Sequence, residues 1–152
     1  MAHWYEGNTH SIIPAFKPEL VLDVLERDRV THLLMVPTMI QMMVDHPAMQ
    51  KPRDLSALRM IVYGASPISE ALVEGALAVL PGVDFVQAYG MTELSPIATV
   101  NPAWTHTPEG RQRGKLRAAG RASFITQVRV VDEQGNEVPC GTVGEVVVRG
   151  PT

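Results

Sequence analysis

A single cysteine, Cys140, stands among the 152 residues, so the chain can form no internal disulfide and no multi-cysteine metal site. Cys140 lies between Pro139 and Gly141, in a turn, where an incidental role is the default. Aromatic residues are few, at 5%, and no apolar run approaches the roughly 20 residues of a membrane-spanning helix. The opening "MAHWYEGNTH" lacks the apolar stretch of a secretory leader, which together with the lone thiol fits a reducing cytoplasm. Neither sign of charge dominates: 13 Lys and Arg against 16 Asp and Glu give a net charge of -3, which implies no polyanionic partner. Also missing are the G-x-G-x-x-G fingerprint, the G-x-x-x-x-G-K-[ST] phosphate loop, G-x-S-x-G and H-E-x-x-H. Their absence argues against a dinucleotide oxidoreductase, a serine hydrolase of the elbow type and a zinc peptidase. Five histidines (His3, His10, His32, His46 and His106) invite a metal reading, yet "HWYEGNTH" offers no carboxylate at a convincing spacing.

What is present suffices for one hydrophobic core: 45% of the residues are hydrophobic and 19% charged. The run "HSIIPAF", from His10 to Phe16, reads as a short buried strand. Pro18 opens a helix in "PELVLDVLERDR", with Glu19 at its positive end and Leu20, Val21, Val24 and Leu25 at helical spacing. A strand in "HLLMVP" precedes a second helix, "TMIQMMVDHP", for which Thr38 is the expected N-cap and whose methionines fill the core. Leu58 to Tyr63 makes the next strand, broken at Gly64. The helix from Ser69 to Leu80 has Ser66 or Ser69 as cap and Pro81-Gly82 as stop. "DFVQAYG" is a further strand. Strand–helix–strand repetition at this spacing predicts an α/β fold with a mostly parallel sheet flanked by helices, occupying residues 1–110. Ligands of such sheets collect at the carboxyl ends of the strands, where Gly64 and Gly90 both fall.

Beyond residue 100 the chain turns polar and rich in Gly and Pro. Arg111, Arg113, Lys115, Arg117 and Arg121 crowd five positive charges into eleven positions, compatible with a nucleic-acid contact or with a flexible loop near phosphates. Period-two alternation then returns in "TQVRVVDEQGNEVPCGTVGEVVVRGP" on both sides of Gln134-Gly135, which predicts antiparallel strands. Residues 111–152 are thus expected to be a linker and an incomplete β subdomain.

Two segments carry the chemistry. Gly64-Ala65-Ser66-Pro67 follows a strand with small residues that let a planar ligand approach the backbone; a tight strand-to-helix turn explains them equally well. In "QAYGMTELSP", Tyr89 offers a flat face to a base, Thr92 a small donor and acceptor, and Glu93 a hard oxygen ligand suited to Mg2+. The bland alternative packs Tyr89 on the core and leaves Glu93 solvated.

Together, "IVYGASPIS", "QAYGMTELSP", the Gly120-Arg121 element and "VRVVDEQGNEVPCGTVGEVVVRGP" resemble, in order and spacing, the adenylate-forming superfamily, especially acyl-CoA synthetases (AMP-dependent synthetases and ligases). The resemblance covers almost the whole chain. It implies the second α/β subdomain of such an enzyme followed by a partial antiparallel β-barrel segment, an internal fragment of the large N-terminal domain. It also implies a ligase that activates a carboxylic acid with ATP and Mg2+ and transfers the acyl group to CoA. Gly64, Ala65, Ser66 and Pro67 would border the adenine, and Gln87, Ala88, Gly90 and Met91 would continue the AMP site. Tyr89 would stack on the base, Thr92 would contact phosphate or acyl carboxylate, and Glu93 would bind the metal. The acyl group would lie near Tyr63, Gly90, Met91, Leu94 and Ser95. The family's phosphate loop and catalytic lysine have no counterpart here, so the implied state is an inactive piece or a non-catalytic module. An abrupt stop at Pro151-Thr152 leaves strand edges open and predicts a homo-oligomer.

Overall fold

In the computed structural model, which describes residues 7–151, Pro18 sits at the first position of helix α1 (Pro18–Arg27) with Glu19 in its first turn. The fixed φ of proline suits that position, and the carboxylate faces the positive helix end. Val21, Leu22, Val24 and Leu25 turn inward. Strand β1 (His32–Met35) leads to helix α2 (Pro37–Val44), again opened by proline. Thr38 is not its cap: Pro37 takes the first helical position, Val36 precedes it, and no side chain caps the end. Strand β2 (Met60–Gly64) leads to helix α3 (Glu70–Val79), capped by Ser69, whose Oγ accepts the Leu72 amide proton at 3.2 Å. Strand β3 (Asp84–Gly90) follows.

These strands pair in parallel, β1 with β2 and β2 with β3. The chain then reverses. Strand β4 (Ile97–Asn101) lies antiparallel beside β3, and β5 (Arg121–Ala122) antiparallel beside β4, completing a five-stranded sheet in the order β1-β2-β3-β4-β5. The sheet is therefore mixed rather than mostly parallel. Between β4 and β5 run a 3-10 turn (Ala103–His106), a short helix α4 (Pro108–Gln112) and a second 3-10 turn (Lys115–Arg117). The polar linker is thus a folded segment rather than a flexible loop.

Two further sequence expectations fail. Residues 10–16 form no strand: Ile12 is exposed and Pro14 removes a ladder donor. The expected β-barrel segment is absent as well. Strands β6 (Gln127–Val131) and β7 (Glu145–Arg149) form a separate two-stranded antiparallel sheet, and no sheet among the described residues closes into a barrel. Alternation and the Gly135 turn specify the hairpin, but closure needs further strands to pair both of its edges.

The core lies on one face of the five-stranded sheet. Across β1, β2 and β3, the rows Leu33–Ile61–Phe85 and Met35–Tyr63 point into it, against Leu22, Leu25, Ile40, Met43, Leu72 and Ala76 of the helices. The alternate row, Leu34–Val62–Val86, stands outside that cluster, and Leu34 is 76% exposed. Burying each large side chain on the first face contributes about 1.5–3 kcal/mol. The second face contributes little of that. The accessible surface of 10241 Å² exceeds the roughly 7600 Å² typical of a compact monomer of this mass.

Candidate functional site

The two turns singled out by the sequence meet at one rim. Gly64 ends β2 and stands in register with Ala88 of β3, so the Gly64–Pro67 turn and the Tyr89–Glu93 turn leave neighbouring strands at the same carboxyl end. A Cβ built on Gly64 would lie 2.6 Å from the Ala88 carbonyl oxygen, which explains the glycine. The next residue, Ala65, adopts a left-handed backbone at φ +69°, a conformation that costs a residue with a Cβ about 1 kcal/mol. Ala65, Ser66 and Pro67 are exposed there. Small side chains and a turned backbone leave peptide N–H and C=O groups accessible to a planar partner.

On the neighbouring strand Gln87, Ala88 and Tyr89 are half-buried, whereas Gly90, Met91, Thr92 and Glu93 are exposed. The pairing with β4 slips between Tyr89 and Gly90, and a Cβ on Gly90 would collide with the Pro96 carbonyl oxygen. Only glycine lets β3 and β4 close this tightly. Thr92–Leu94 form a 3-10 turn that ends at Ser95 with φ +55°. The Glu93 carboxylate is exposed and has no hydrogen bond or ion pair among the described residues. No group of three or more His, Cys, Asp or Glu suited to a metal exists among those residues. Glu93 can therefore supply a hard cation with a single carboxylate ligand from this rim and no more. A depression of about 390 Å³ is lined by Lys17, Pro18, Glu19, Leu20, Asp23 and His46, none of which belongs to the two turns.

Tyr63 is not at the surface of this rim. Its ring is fully buried and its hydroxyl lies 2.7 Å from His106 Nε2, with the rings edge to face. Burial pushes the Tyr63 phenol well above its ordinary value and the His106 imidazole below its own. The linker is fastened under the rim by further bonds. Asn101 Nδ2 donates to the Lys115 carbonyl at 3.1 Å, and the Thr99 hydroxyl donates to that of Ala119. Arg111 donates to the His106 carbonyl at 2.8 Å and pairs with Glu74 of α3 at 3.0 Å. Arg113 pairs with Glu109 at 2.6 Å, so two of the five clustered cations are engaged within the fold. The sequence reading weighed His106 only as a metal ligand and missed its pairing with Tyr63. Its partner lies 43 residues away, and no local pattern marks such a pair. His3 and Trp4 lie outside the described residues. The lone Cys140 is exposed.

The fold is thus a mixed sheet with two glycine-marked turns at one rim, one of them bearing a solvent-facing carboxylate. The chain belongs to the AMP-binding enzyme family, whose profile matches residues 1–152, within the acyl-adenylate-forming superfamily. It is 40% identical over 146 residues to a feruloyl-CoA synthase of Amycolatopsis sp, covering 96% of this chain and 28% of that protein. To the fatty acid–[acyl-carrier-protein] ligase ScoC of Streptomyces coeruleorubidus it is 38% identical over 145 residues, 95% of this chain and 27% of the relative. Among solved structures, the amide bond synthetase McbA from Marinactinospora thermotolerans superposes with a TM-score of 0.78 at 34% identity. That match covers 91% of this chain and 27% of McbA. The anthranilate CoA ligase AuaEII in complex with anthranoyl-AMP gives a TM-score of 0.81 at 26% identity, covering 98% of this chain and 27% of AuaEII. The chain thus spans little more than a quarter of the length of these relatives. No helix of the described residues is long and apolar enough to cross a membrane.

Proposed function

We propose that the chain carries the adenylate-facing rim of a carboxylic acid:CoA ligase that uses ATP and Mg2+. Gly64 to Pro67 border the adenine, Tyr89 stacks on it, and Gln87, Ala88, Gly90 and Met91 continue the AMP site. Thr92 meets the phosphate or the acyl carboxylate, and Glu93 holds the metal. The observation that carries the reading is the register of Gly64 with Ala88, which sets both turns at one strand end. When a carboxylate attacks the α-phosphorus, negative charge builds on oxygens that Mg2+ and fixed donors stabilise, each donor being worth about 3 kcal/mol. A cytoplasmic location belongs to this reading.

The two turns of the rim offer one carboxylate, Glu93, and the family's Gly-rich Ser/Thr phosphate loop has no counterpart in these 152 residues. With so few groups to clamp the phosphates, turnover falls by orders of magnitude. Titration with AMP in the presence of Mg2+ should perturb the Gly64 and Tyr89 amide signals. An assay with ATP, Mg2+, CoA and a panel of carboxylic acids should show no acyl-CoA above background. Acyl-CoA formed at ordinary enzyme rates would overturn the inactivity, and an AMP titration that leaves both amides unmoved would overturn the site.

A second reading, a self-associating module derived from such a ligase, is favoured by the exposed apolar surface. Phe124 and Val143 are almost wholly exposed beside the β6–β7 hairpin, and Leu34 projects from the open sheet face. The excess surface noted above is larger than the 1,200–2,000 Å² that a specific interface typically buries. Light scattering should report a dimer or larger species, and a stable monomer at high concentration rejects this reading.

A further inference from the structure

Beneath the rim, the Tyr63–His106 pair has a proton arrangement that the surrounding atoms dictate. His106 Nδ1 lies 3.3 Å from the Pro102 carbonyl, which can only accept, and 3.1 Å from the Thr105 hydroxyl. That hydroxyl already donates to the Pro102 carbonyl at 2.7 Å, so its lone pairs face the ring. Nδ1 therefore carries the proton, Nε2 is bare, and the Tyr63 phenol donates to it. Every polar atom of the pair is satisfied by neutral imidazole, and only by that tautomer.

We propose that Tyr63 and His106 are positioning residues that latch the folded linker to the end of strand β2, fixing the Gly64–Pro67 turn while His106 is neutral. Protonation gives Nε2 a hydrogen that points at the phenol oxygen. The phenol must then turn its own hydrogen elsewhere, and it has no second partner among the described residues. The new charge is buried; the Pro102 and Ala103 carbonyls favour it, but burial outweighs them and no charged group packed around it offsets that cost. The Arg111 guanidinium, on α4, approaches through the His106 carbonyl and repels it. Glu74, on α3, is already engaged by Arg111. Tyr63, on β2, remains a neutral phenol because burial raises its ionisation. Acid therefore opens the latch, and because Tyr63 directly precedes Gly64, the turn moves with it. The proposal deepens the nucleotide reading but rests on it only where ligand affinity is measured.

The test is an NMR titration of the 152-residue chain from about pH 7.5 to about pH 5, across and below the ordinary range of imidazole ionisation. Long-range 1H–15N spectra should show His106 as the Nδ1–H tautomer at the upper end. The amide signals of Gly64, Ala65 and Ser66 should shift with an inflection at the pH where the His106 ring titrates. His106→Gln retains an acceptor at the Nε2 position but does not titrate, so its turn signals should stay at their neutral-pH positions throughout. Tyr63→Phe should displace them at both extremes; if that variant does not fold, His106→Gln alone decides. Adenosine, which does not ionise in this range, should bind wild type at least about fivefold more weakly at the acidic end and bind His106→Gln equally at both. Turn signals that stay flat while His106 ionises, or that titrate unchanged in His106→Gln, overturn the latch. Correct amide behaviour with no adenosine binding at either pH leaves the latch standing and removes the nucleotide reading.

Discussion

Gly64 and Ala88 face each other across neighbouring parallel strands so closely that a methyl group on Gly64 would press within 2.6 Å of the Ala88 carbonyl oxygen. Backbone cannot swing aside as a flexible side chain can. Gly64→Ala should therefore cost about 1–3 kcal/mol in urea unfolding and weaken AMP binding by parting the two turns. Unchanged stability would mean that the strands spread without penalty.

Stability should depend on pH at both ends of the neutral range, for opposite reasons. His106 has its folded ionisation below the ordinary 6.5, so the unfolded chain takes up the proton first. Its contribution is complete above that value and shrinks as the pH falls toward the folded one. Tyr63 ionises above its ordinary 10.0 in the fold, so the contribution of its neutral form is complete below that value and is lost as the pH rises past it. Urea midpoints measured across the range should trace a plateau between the two, and His106→Gln should flatten only the acidic side.

Arg111 and Glu74 should respond unequally to truncation. Glu74 is largely exposed, and losing its half of the pair costs about 0.5 kcal/mol. Arg111→Ala also deprives the His106 carbonyl of its donor at 2.8 Å and should cost about 1–2 kcal/mol. Equal losses in thermal unfolding would show that the bond to the carbonyl contributes nothing.

Glu93→Gln should leave stability within about 0.5 kcal/mol of wild type, because the carboxylate is exposed and unpaired among the described residues. The same change should abolish any Mg2+-dependent gain in AMP affinity. Calorimetric titrations with and without the metal separate the two effects.

Strands β2 and β3, the helix between them and a serine cap, narrowed by sequence to Ser66 or Ser69, were legible because each is encoded locally, by an apolar run that breaks at glycine and by a hydroxyl just before the helix. The structure selects Ser69, three residues before the amide it accepts. Pairing is another matter. The run at Ile12 and Ile13 is as apolar as a strand yet pairs with none among the described residues, and Ile13 packs on the core from irregular backbone. The "IATVN" of β4 went unread because its strand character depends on lying against β3, with Asn101 and Thr99 buried by bonds to the linker. Alternation revealed the β6–β7 hairpin but carries no information on barrel closure, which is decided by strands outside the pair. The rim was readable because glycine marks both turns. The Tyr63–His106 latch was not, since no short-range rule links residues so distant in the chain.

With helices packed on a single side of the sheet, the folded polypeptide keeps the apolar Leu34–Val62–Val86 row of the other side partly hydrated. Calorimetry of the monomeric chain should accordingly give a heat-capacity increment on melting below the roughly 12–15 cal/mol/K per residue of ordinary domains, since less oily area is newly wetted. The stability curve would then be unusually flat, making this half-covered layer slow to lose its strength on cooling.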